Sequence, residues 1–430
     1  MKNLKNKLEK LPLFVKEKLL LSSQIASRLN YKIYLVGGIV RDLILGRKNL
    51  DLDIVVEGDA VKLAEKIAQA SSSQFRAHKF FGTATVFFDK FKIDFATARK
   101  ESYPKKGALP CVSFSNLKDD LFRRDFTINT LAVSLNKENY GELIDFYNGL
   151  SDLKKGLIRV LHKESFLDDP TRIFRAIRFE QRFKFSIERN TLSLLKEARE
   201  KKALSWIDEH RIRNEIFLIL KEENPYPCLR RINELLGFSF LDPDLKYLKK
   251  KDFLLLRRIK KAIKFYHQFS FLPPLNIPIV YLLGIFNSLP LLKIYITLPN
   301  FFENFGLRKM ERKIMEQTFY YRNKIKRLKS GKLDKVKIYQ IFKPLSCESV
   351  VFYYAYFKDR KIRKAIRIYF TELFSLKLLT KGEDLKRLGI RPFKKYGEYL
   401  EKLLYQKIKL GLKTKEEELD ELKRLIKKDN

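Results

Sequence analysis

Apolar residues recur in two different rhythms along the chain, and the rhythm changes near residue 150. Apolar residues over Leu11–Leu29 follow helical spacing, whereas Lys32–Val36 and Leu50–Glu57 are short, apolar and β-branched and therefore predict strands. Thr83–Phe88 and Phe91–Ala96 predict a further pair of strands joined as a hairpin. We therefore expect the first third of the chain to combine helices with a mixed sheet.

Weaker signals fill the space between these elements. The pattern predicts helices at Ile39–Leu45, Val61–Ser71 and Phe126–Ser134, a loop at Lys100–Pro110, and a last strand or sheet edge at Glu142–Tyr147.

Beyond Leu150 the strand-like alternation nearly vanishes, and helical periods punctuated by prolines continue to the last residue. The fold class predicted from this change is α+β, with the sheet in the N-terminal part and only helices after it. The most apolar segment, Leu272–Leu289, is interrupted by Pro273, Pro274 and Pro278, so we expect no membrane span.

Charge adds a preference for a polyanionic partner. The chain has 89 basic and 51 acidic residues, a net charge of +38, and such an excess favours nucleic acid, although a lysine-rich surface of a heat-adapted protein is an alternative. Residues 1–150 hold 25 basic and 17 acidic side chains, or +8, which leaves +30 for residues 151–430. We therefore expect a long polyanion to lie on the helical part.

The three cysteines are widely separated and include no C-x-x-C pair. This usage argues against a disulfide framework or a zinc site and favours a reducing cytoplasmic location. No segment at the start of the chain resembles a signal peptide.

The stretch GGIVRDLILGRKNLDLD concentrates candidate chemistry. Asp51 and Asp53 are two apart, so on a strand both carboxylates face one way and could hold Mg²⁺, and Asp94 on a neighbouring strand could add a third. Gly37 and Gly38 precede a helix whose backbone N–H groups could hold a triphosphate. The D-x-D pattern alone is weak, and Asp94 could equally be an edge-strand charge.

Arginines cluster in two later segments. RRDFTIN begins with Arg123 and Arg124, and in DDPTRIFRAIRF the residues Arg172, Arg175 and Arg178 recur every three positions. On a largely apolar helix, three arginines on one stripe need anions or carboxylates as partners, whereas on a solvated helix they would be an ordinary basic face.

Taken in order, LVGGIVRDLILG, DLD, HKFFGTATV, IDFATAR, DLFRRDFTINTLA and DDPTRIFRAIRF resemble the class II tRNA nucleotidyltransferases. That family includes CCA-adding, CC-adding and A-adding enzymes and the bacterial poly(A) polymerases. A looser match lies at 379–397. The resemblance implies a nucleotidyltransferase head at 1–150, a helical neck at 151–225, and a helical body and tail at 226–430 that bind tRNA.

The resemblance also implies residue roles. Asp51 and Asp53 would hold two Mg²⁺ ions, with Asp94 as the third catalytic carboxylate. The implied nucleotide-binding residues are Gly37, Gly38, Arg41, Arg124, Asp169, Arg172, Arg175 and Arg178. Within that set, Asp169 and Arg172 would read the incoming base, and Arg175 and Arg178 would hold the triphosphate or template-like contacts.

Hydrogen-bond chemistry explains why an Asp–Arg pair could select C and A. Cytosine and adenine each offer an amine donor beside a ring-nitrogen acceptor, which suits a carboxylate next to a guanidinium. Uracil and guanine reverse that order and would leave buried groups unpaired, at roughly 1–3 kcal/mol each.

The sequence leaves several alternatives open. The loop after Arg99, KESYPKKGALP, lacks the D-x-R-R run of many CCA-adding members, so the chain could add CC or A only. A poly(A) polymerase, an inactive RNA-binding homologue and a small-molecule nucleotidyltransferase are the other readings, and the last leaves the basic helical part unexplained. The Phe393–Lys395 segment departs from the family's small residues.

Overall fold

The computed structural model describes residues 3–330, 333–390 and 395–429. Within them the chain forms two compact units: unit 1 comprises Met1–Ile219 and Pro227–Leu236, and unit 2 comprises Leu220–Tyr226 and Gly237–Asn430. The division expected between residues 150 and 151 falls inside unit 1, so the separate head and neck remain predictions. Residues 391–394, inside the looser family match at 379–397, lie outside the described residues.

Unit 1 is built on a seven-stranded mixed sheet with strand order β3-β4-β5-β2-β1-β8-β9. Its strands are β1 (Lys32–Val36), β2 (Leu52–Glu57), β3 (Gln74–His78), β4 (Thr83–Phe88), β5 (Phe91–Thr97), β8 (Ala132–Ser134) and β9 (Leu143–Ile144). Strands β2 and β5 run parallel, and the other neighbours are antiparallel. Two small sheets pair β6 (Arg99–Ser102) with β7 (Cys111–Phe114), and β10 (Leu157–Ile158) with β11 (Ser186–Ile187).

The helices that begin in unit 1 are α1 (Lys5–Leu8), α2 (Leu13–Arg28), α3 (Gly38–Leu45), α4 (Ala60–Ala70), α5 (Leu117–Phe122), α6 (Gly149–Lys155), α7 (Ser165–Asp168), α8 (Arg172–Phe183), α9 (Arg189–Glu200) and α10 (Glu209–Leu220). Helix α11 (Tyr226–Leu235) follows, almost entirely in unit 1.

Both faces of the central strands are covered. On one face, Tyr34, Val36 and Val55 pack with Leu117 and Leu121 of α5 in a fully buried cluster. The intervening β1 residues are also buried, because alternate side chains point to the opposite face, where α2 and α4 pack. The sequence of a strand that is buried on both faces is a continuous run of apolar residues. This is why β1 was predictable with its observed bounds.

Three predictions from the sequence are wrong in part or in full. The loop expected at Lys100–Pro110 begins inside strand β6, and the part expected to hold only helices contains the short β10–β11 pair. The third is the helix expected at Phe126–Ser134. Phe126–Ser134 is not a helix: it contains a single 3₁₀ turn at Thr127–Asn129 and then strand β8. Helix α5 ends at Phe122, so Arg123 and Arg124 lie in the turn that follows it. Almost every side chain of this segment is buried, and uniform burial removes the contrast on which periodicity depends.

Unit 2 is helical, as the pattern beyond residue 150 predicts. Its helices are α12 (Lys250–Tyr266), α13 (Ile277–Phe286), α14 (Leu291–Asn304), α15 (Lys309–Lys326), α16 (Lys335–Phe342), α17 (Cys347–Tyr356), α18 (Arg360–Ile368), α19 (Gly382–Arg387), α20 (Tyr396–Leu410) and α21 (Lys415–Asp429). A π-helical turn, Tyr369–Leu373, continues α18. Among the residues described, none of the helices combines the length and apolarity that crossing a bilayer requires.

Candidate active site

A cavity of about 990 Å³ opens in unit 1 above the parallel pair β2 and β5. Ten of the eleven site residues named from the sequence line it: Gly37, Gly38, Arg41, Asp51, Asp53, Asp94, Arg124, Asp169, Arg172 and Arg175. Arg178 does not; it lies further along α8, where its guanidinium is 3.6 Å from the carboxylate of Glu215. We call this cavity the cleft.

The paired aspartates face the cleft together. Asp53 is on β2, and Asp51 precedes the strand by one residue, its backbone N–H donating to the side chain of Asn49 over 2.8 Å. Burial and the neighbouring Asp51 carboxylate raise the pKa of Asp53 to about 6. A cation between the two carboxylates would favour their ionised forms and so offset the effect of burial. Mg²⁺ is typically held by one or two carboxylates plus substrate phosphates, so the pair fits such an ion.

Asp94 lies beside Asp53, its register partner on the parallel strand β5. One of its oxygens accepts a hydrogen bond from the Thr85 hydroxyl, and the other is 2.6 Å from the Lys92 ammonium. Over the described ranges, no three His, Cys, Asp or Glu side chains are arranged to hold a metal. A direct contact between Asp94 and a metal therefore remains a prediction.

The turn between β1 and α3 requires glycine at one of its two positions. Gly37 has φ of +74°, and a Cβ there would lie 2.8 Å from a guanidinium nitrogen of Arg124. Gly38 has ordinary space around it and begins α3. The first N–H groups of α3 have no acceptor within the helix, and they lie at the end of α3 that borders the cleft.

Arg41 is held by protein groups on every side. It is 4% exposed, its Nε donates to Asp42 over 3.0 Å, and Nη1 donates to the Asn129 side-chain oxygen over 2.5 Å. Its guanidinium also stacks 4.5 Å above the ring of Phe183. Arg41 is thus ion-paired with Asp42 and forms part of the cleft wall.

The two arginines after α5 share one buried carboxylate. Asp120 is fully buried and accepts from Arg123 over 2.8 Å and from Arg124 over 3.1 Å. Burial alone would raise the pKa of Asp120, but these two arginines hold it below its ordinary value. Arg123 is also paired with Glu101. Arg124 is thus presented to the cleft from a fixed anchor.

A second ion pair ties α8 to the segment after α5. The Arg175 guanidinium is 2.6 Å from Asp125, whose other oxygen accepts from the Asn129 amide. Although burial would raise the pKa of Asp125, Arg175 and Asn129 lower it to about 2. The side-chain oxygen of Asn129 also accepts a hydrogen bond from Arg41 of α3, so Asn129 and Asp125 link α3 to α8.

Asp169 and Arg172 both face the cleft but have different partners. Asp169 accepts from Arg211 of α10 over 2.8 Å and from the Thr171 hydroxyl. Arg172, 4% exposed, donates to the Ser165 hydroxyl over 2.6 Å and to the carbonyl of Arg123 over 2.8 Å. Protein hydrogen bonds therefore fix each side chain of the predicted base-reading pair.

Arg211 also reaches the loop that follows β6. Its Nη1 donates to the Gly107 carbonyl over 3.0 Å, while the Gly107 N–H donates to the Leu167 carbonyl over 3.0 Å. Lys106 in the same loop is paired with Glu164 and, over 3.3 Å, with Asp168. The loop is thus attached to the segment that carries Asp169.

Sequence reasoning missed Arg211, Glu215, Asp125 and Asn129 as members of the cleft. Arg211 and Glu215 lie on α10, whose first residues are a run of mixed charge. Arg211, Glu215 and Asp125 share one signal, charge on a half-apolar segment, which indicates a buried ion pair without identifying its partner. Asn129 is uncharged and gives no such signal.

The chain is similar to several known proteins. Residues 33–159 match the model of the poly(A) polymerase head domain. The A-adding tRNA nucleotidyltransferase of Geobacter sulfurreducens is 36% identical over 399 residues, which are 92% of this chain and 45% of that protein. The chain thus spans about half the length of that curated relative.

Two solved structures align over nearly their full length. A CCA-adding enzyme in an apo form is 33% identical with a TM-score of 0.80, and 98% of each chain is covered. The Thermotoga maritima CCA-adding enzyme, complexed with tRNA_CCA, is 32% identical with a TM-score of 0.76, and 99% of each chain is covered.

The Asp125–Arg175 pair predicts an acid-dependent loss of stability in unit 1. A carboxylate whose pKa is lowered to about 2 contributes stability that is complete above its ordinary pKa of 3.8 and is lost as the pH falls toward 2. The contribution is about 2 kcal/mol at neutral pH. We expect Asp125→Asn to lower the free energy of unfolding at pH 7, and the difference from wild type to shrink below pH 4.

Trp206, the only tryptophan, lies in unit 1, so its fluorescence during urea unfolding reports that unit. Asp89→Asn, in the exposed hairpin turn, is the control and should change neither value. A difference between Asp125→Asn and wild type that is the same at pH 7 and pH 3 would contradict this account.

Proposed function

Because the chain belongs to the class II tRNA nucleotidyltransferase and poly(A) polymerase family, we propose that it adds C, A or both to the 3′ end of tRNA. The substrates are CTP, ATP or both, and no nucleic-acid template directs the addition. One observation carries the proposal: a single cleft gathers the paired aspartates, the glycine turn, Arg124 and the Asp169–Arg172 pair.

Asp51 and Asp53 would hold two Mg²⁺ ions, which when bound make the RNA 3′-hydroxyl more acidic and neutralise charge on the departing pyrophosphate. The burial that raises the pKa of Asp53 supports this assignment, because it disfavours the carboxylate unless a cation is near. Asp94, held by Thr85 and Lys92 beside Asp53, would be the third catalytic carboxylate.

The triphosphate would lie along the cationic wall of the cleft. Arg124 is fixed through Asp120, and it extends past Gly37, where a larger residue would meet its guanidinium. The N–H groups at the start of α3 add donors without mobile side chains. Donors already held in place lose little freedom on binding, and this favours in-line attack of the 3′-hydroxyl on the α-phosphate.

Base selection would rest on Asp169 and Arg172. Arg211, Ser165 and the carbonyl of Arg123 restrict both side chains, so a base must match their donor and acceptor order. Cytosine and adenine match that order, whereas uracil and guanine leave the pair unsatisfied. These two side chains would thus select the base in place of a nucleic-acid template.

The number and identity of the nucleotides added depend on more than this pair. The loop that carries Lys106 and Gly107 is bound to the base-reading segment and to Arg211. Because this loop also lacks the D-x-R-R run of many CCA-adding members, a specialist that adds CC or A only is one of the predictions. Full CCA addition and poly(A) synthesis are the alternative activities. A cytoplasmic location is a further prediction.

The direct test incubates the protein with tRNAs ending before CCA, after C and after CC, with each nucleoside triphosphate in turn. We expect incorporation of C, A or both, and at most trace amounts of U or G. Asp53→Ala should abolish incorporation while tRNA binding persists, and Asp89→Ala, an exposed aspartate outside the cleft, should behave as wild type. Wild-type protein that extends none of these tRNAs would refute the proposal.

Asp169→Ala tests the base-reading role. Loss of the carboxylate removes the acceptor for the amine of C or A, so we expect the ratio of kcat/KM for the preferred nucleotide over UTP to fall about tenfold or more. The affinity for the triphosphate should change much less than the selectivity. Unchanged selectivity with a general loss of activity would assign Asp169 to structure alone.

A further inference from the structure

A short segment without regular structure joins the two parts of the cleft that bind different groups in the proposed function. It comprises residues 47–51, between the end of α3 and the start of β2. The triphosphate would lie at the start of α3, and Asp51, at the end of the segment, would bind magnesium. Asn49 lies within this segment and lines the cleft, but the proposed reaction gives it no role.

The two aspartates of the D-x-D pair are held in different ways. Asp53 lies within β2 and is the register partner of Asp94 on β5, so the sheet fixes its backbone. The register of β2 with β5 begins at Leu52, one residue after Asp51, and Asp51 itself is exposed. The position of Asp51 therefore depends on the segment before it. There its backbone N–H donates to the side-chain oxygen of Asn49 over 2.8 Å.

The side-chain nitrogen of Asn49 makes a second contact, with α3. It donates to Asp42 over 2.8 Å, and Asp42 is only 5% exposed. The same carboxylate accepts from the Arg41 guanidinium through both of its oxygens, over 3.0 and 3.2 Å. Because Arg41 in turn donates to Asn129, Asp42 belongs to the buried network that links α3 to α8. Asn49 thus joins the exposed backbone of Asp51 to that network.

The chemistry of the side-chain amide suits both contacts. A backbone N–H only donates and a carboxylate only accepts, so the two partners together fix the orientation of the Asn49 amide. An aspartate at this position would instead place a carboxylate against that of Asp42. The glycine turn is also near, since a Cβ on Gly38 would lie 3.8 Å from the amide nitrogen. Asn49 therefore lies between the turn that would bind the triphosphate and the aspartates that would bind magnesium.

We propose that Asn49 is a positioning residue, which fixes the Asp51 carboxylate for magnesium by tying the backbone of Asp51 to Asp42. The inference rests on the magnesium assignment of the proposed function. Loss of a group that hydrogen-bonds to a metal ligand commonly weakens metal binding roughly 10- to 100-fold. Without this link the segment gains conformational freedom, which binding of the ion must remove. Arg124 is anchored through Asp120, so its contact with the triphosphate should not depend on Asn49.

The test measures binding of a non-hydrolysable ATP or CTP analogue by isothermal titration calorimetry, once with Mn²⁺ and once with EDTA. Wild type should bind the analogue more tightly with Mn²⁺, and we call the ratio of the two dissociation constants the metal ratio. Asn49→Ala should reduce the metal ratio about tenfold, while the affinity in EDTA stays close to that of wild type. Asn190→Ala, exposed on α9 and outside the cleft, is the matched control and should keep the wild-type ratio.

Asn49→Ser separates the link to Asp42 from the local turn. A serine hydroxyl can still accept from the N–H of Asp51, but its shorter side chain cannot reach Asp42 as well. We expect Asn49→Ser to lose as much of the metal ratio as Asn49→Ala. A wild-type metal ratio in Asn49→Ser would show that the turn alone positions Asp51, and the proposal would then be wrong.

The magnesium dependence of tRNA extension gives a second readout. In Asn49→Ala the Mg²⁺ concentration that gives half of the maximal rate should rise about tenfold, and kcat at saturating Mg²⁺ should remain close to wild type. Two results would overturn the proposal, because each makes Asn49 a general support of the fold: a fall in kcat that excess Mg²⁺ does not restore, or equal losses of analogue affinity with Mn²⁺ and with EDTA.

Failure of this inference is distinguishable from failure of the proposed function. If the affinity of wild type for the analogue does not depend on Mn²⁺, the magnesium assignment is wrong and the inference fails with it. If wild type depends on Mn²⁺ and Asn49→Ala keeps the full metal ratio, only the role of Asn49 is refuted.

Discussion

The cleft depends on buried charge that is neutralised in place. Asp125 is at the centre of these contacts: it forms an ion pair with Arg175 of α8 and accepts a hydrogen bond from Asn129 of the neighbouring turn. The side-chain oxygen of Asn129 accepts a hydrogen bond from Arg41 of α3. Each of these groups would be costly to bury alone, so α8, which carries the predicted base-reading arginine, and α3, which begins at the glycine turn, are held in one arrangement. The cleft is therefore formed before any substrate arrives, and binding need not pay to assemble it.

Local patterns in the sequence predicted those parts of the fold whose burial contrasts with their surroundings. Short apolar runs between polar turns predicted the bounds of β1 and β4, and those of β5 to within one residue. Long amphipathic periods predicted the helical character of unit 2. The failure at Phe126–Ser134 has the opposite cause. That segment is buried on every side, and an apolar run without polar contrast fits a helix as well as a strand.

The candidate site likewise contains residues that local sequence patterns predicted and residues that they did not. Residues within recognisable motifs, such as Asp51, Asp53 and Arg124, were predictable because their spacing is local. Arg211 was not, because its contact with Asp169 joins positions 42 residues apart and no local period encodes that pairing. The site assignments therefore rest on two kinds of support: motif order for the residues named from the sequence, and packing for the residues that hold them.

The account's central claim is that Asp51 and Asp53 hold the cations that accompany a nucleoside triphosphate in the cleft. A crystal of the protein grown with Mn²⁺ and a non-hydrolysable ATP or CTP analogue tests it most directly, because manganese scatters anomalously and can be located without bias. The account predicts anomalous peaks in contact with the carboxylates of both aspartates and the analogue's phosphates. Nucleotide bound in the cleft with manganese elsewhere, or nucleotide bound outside the cleft, would contradict it.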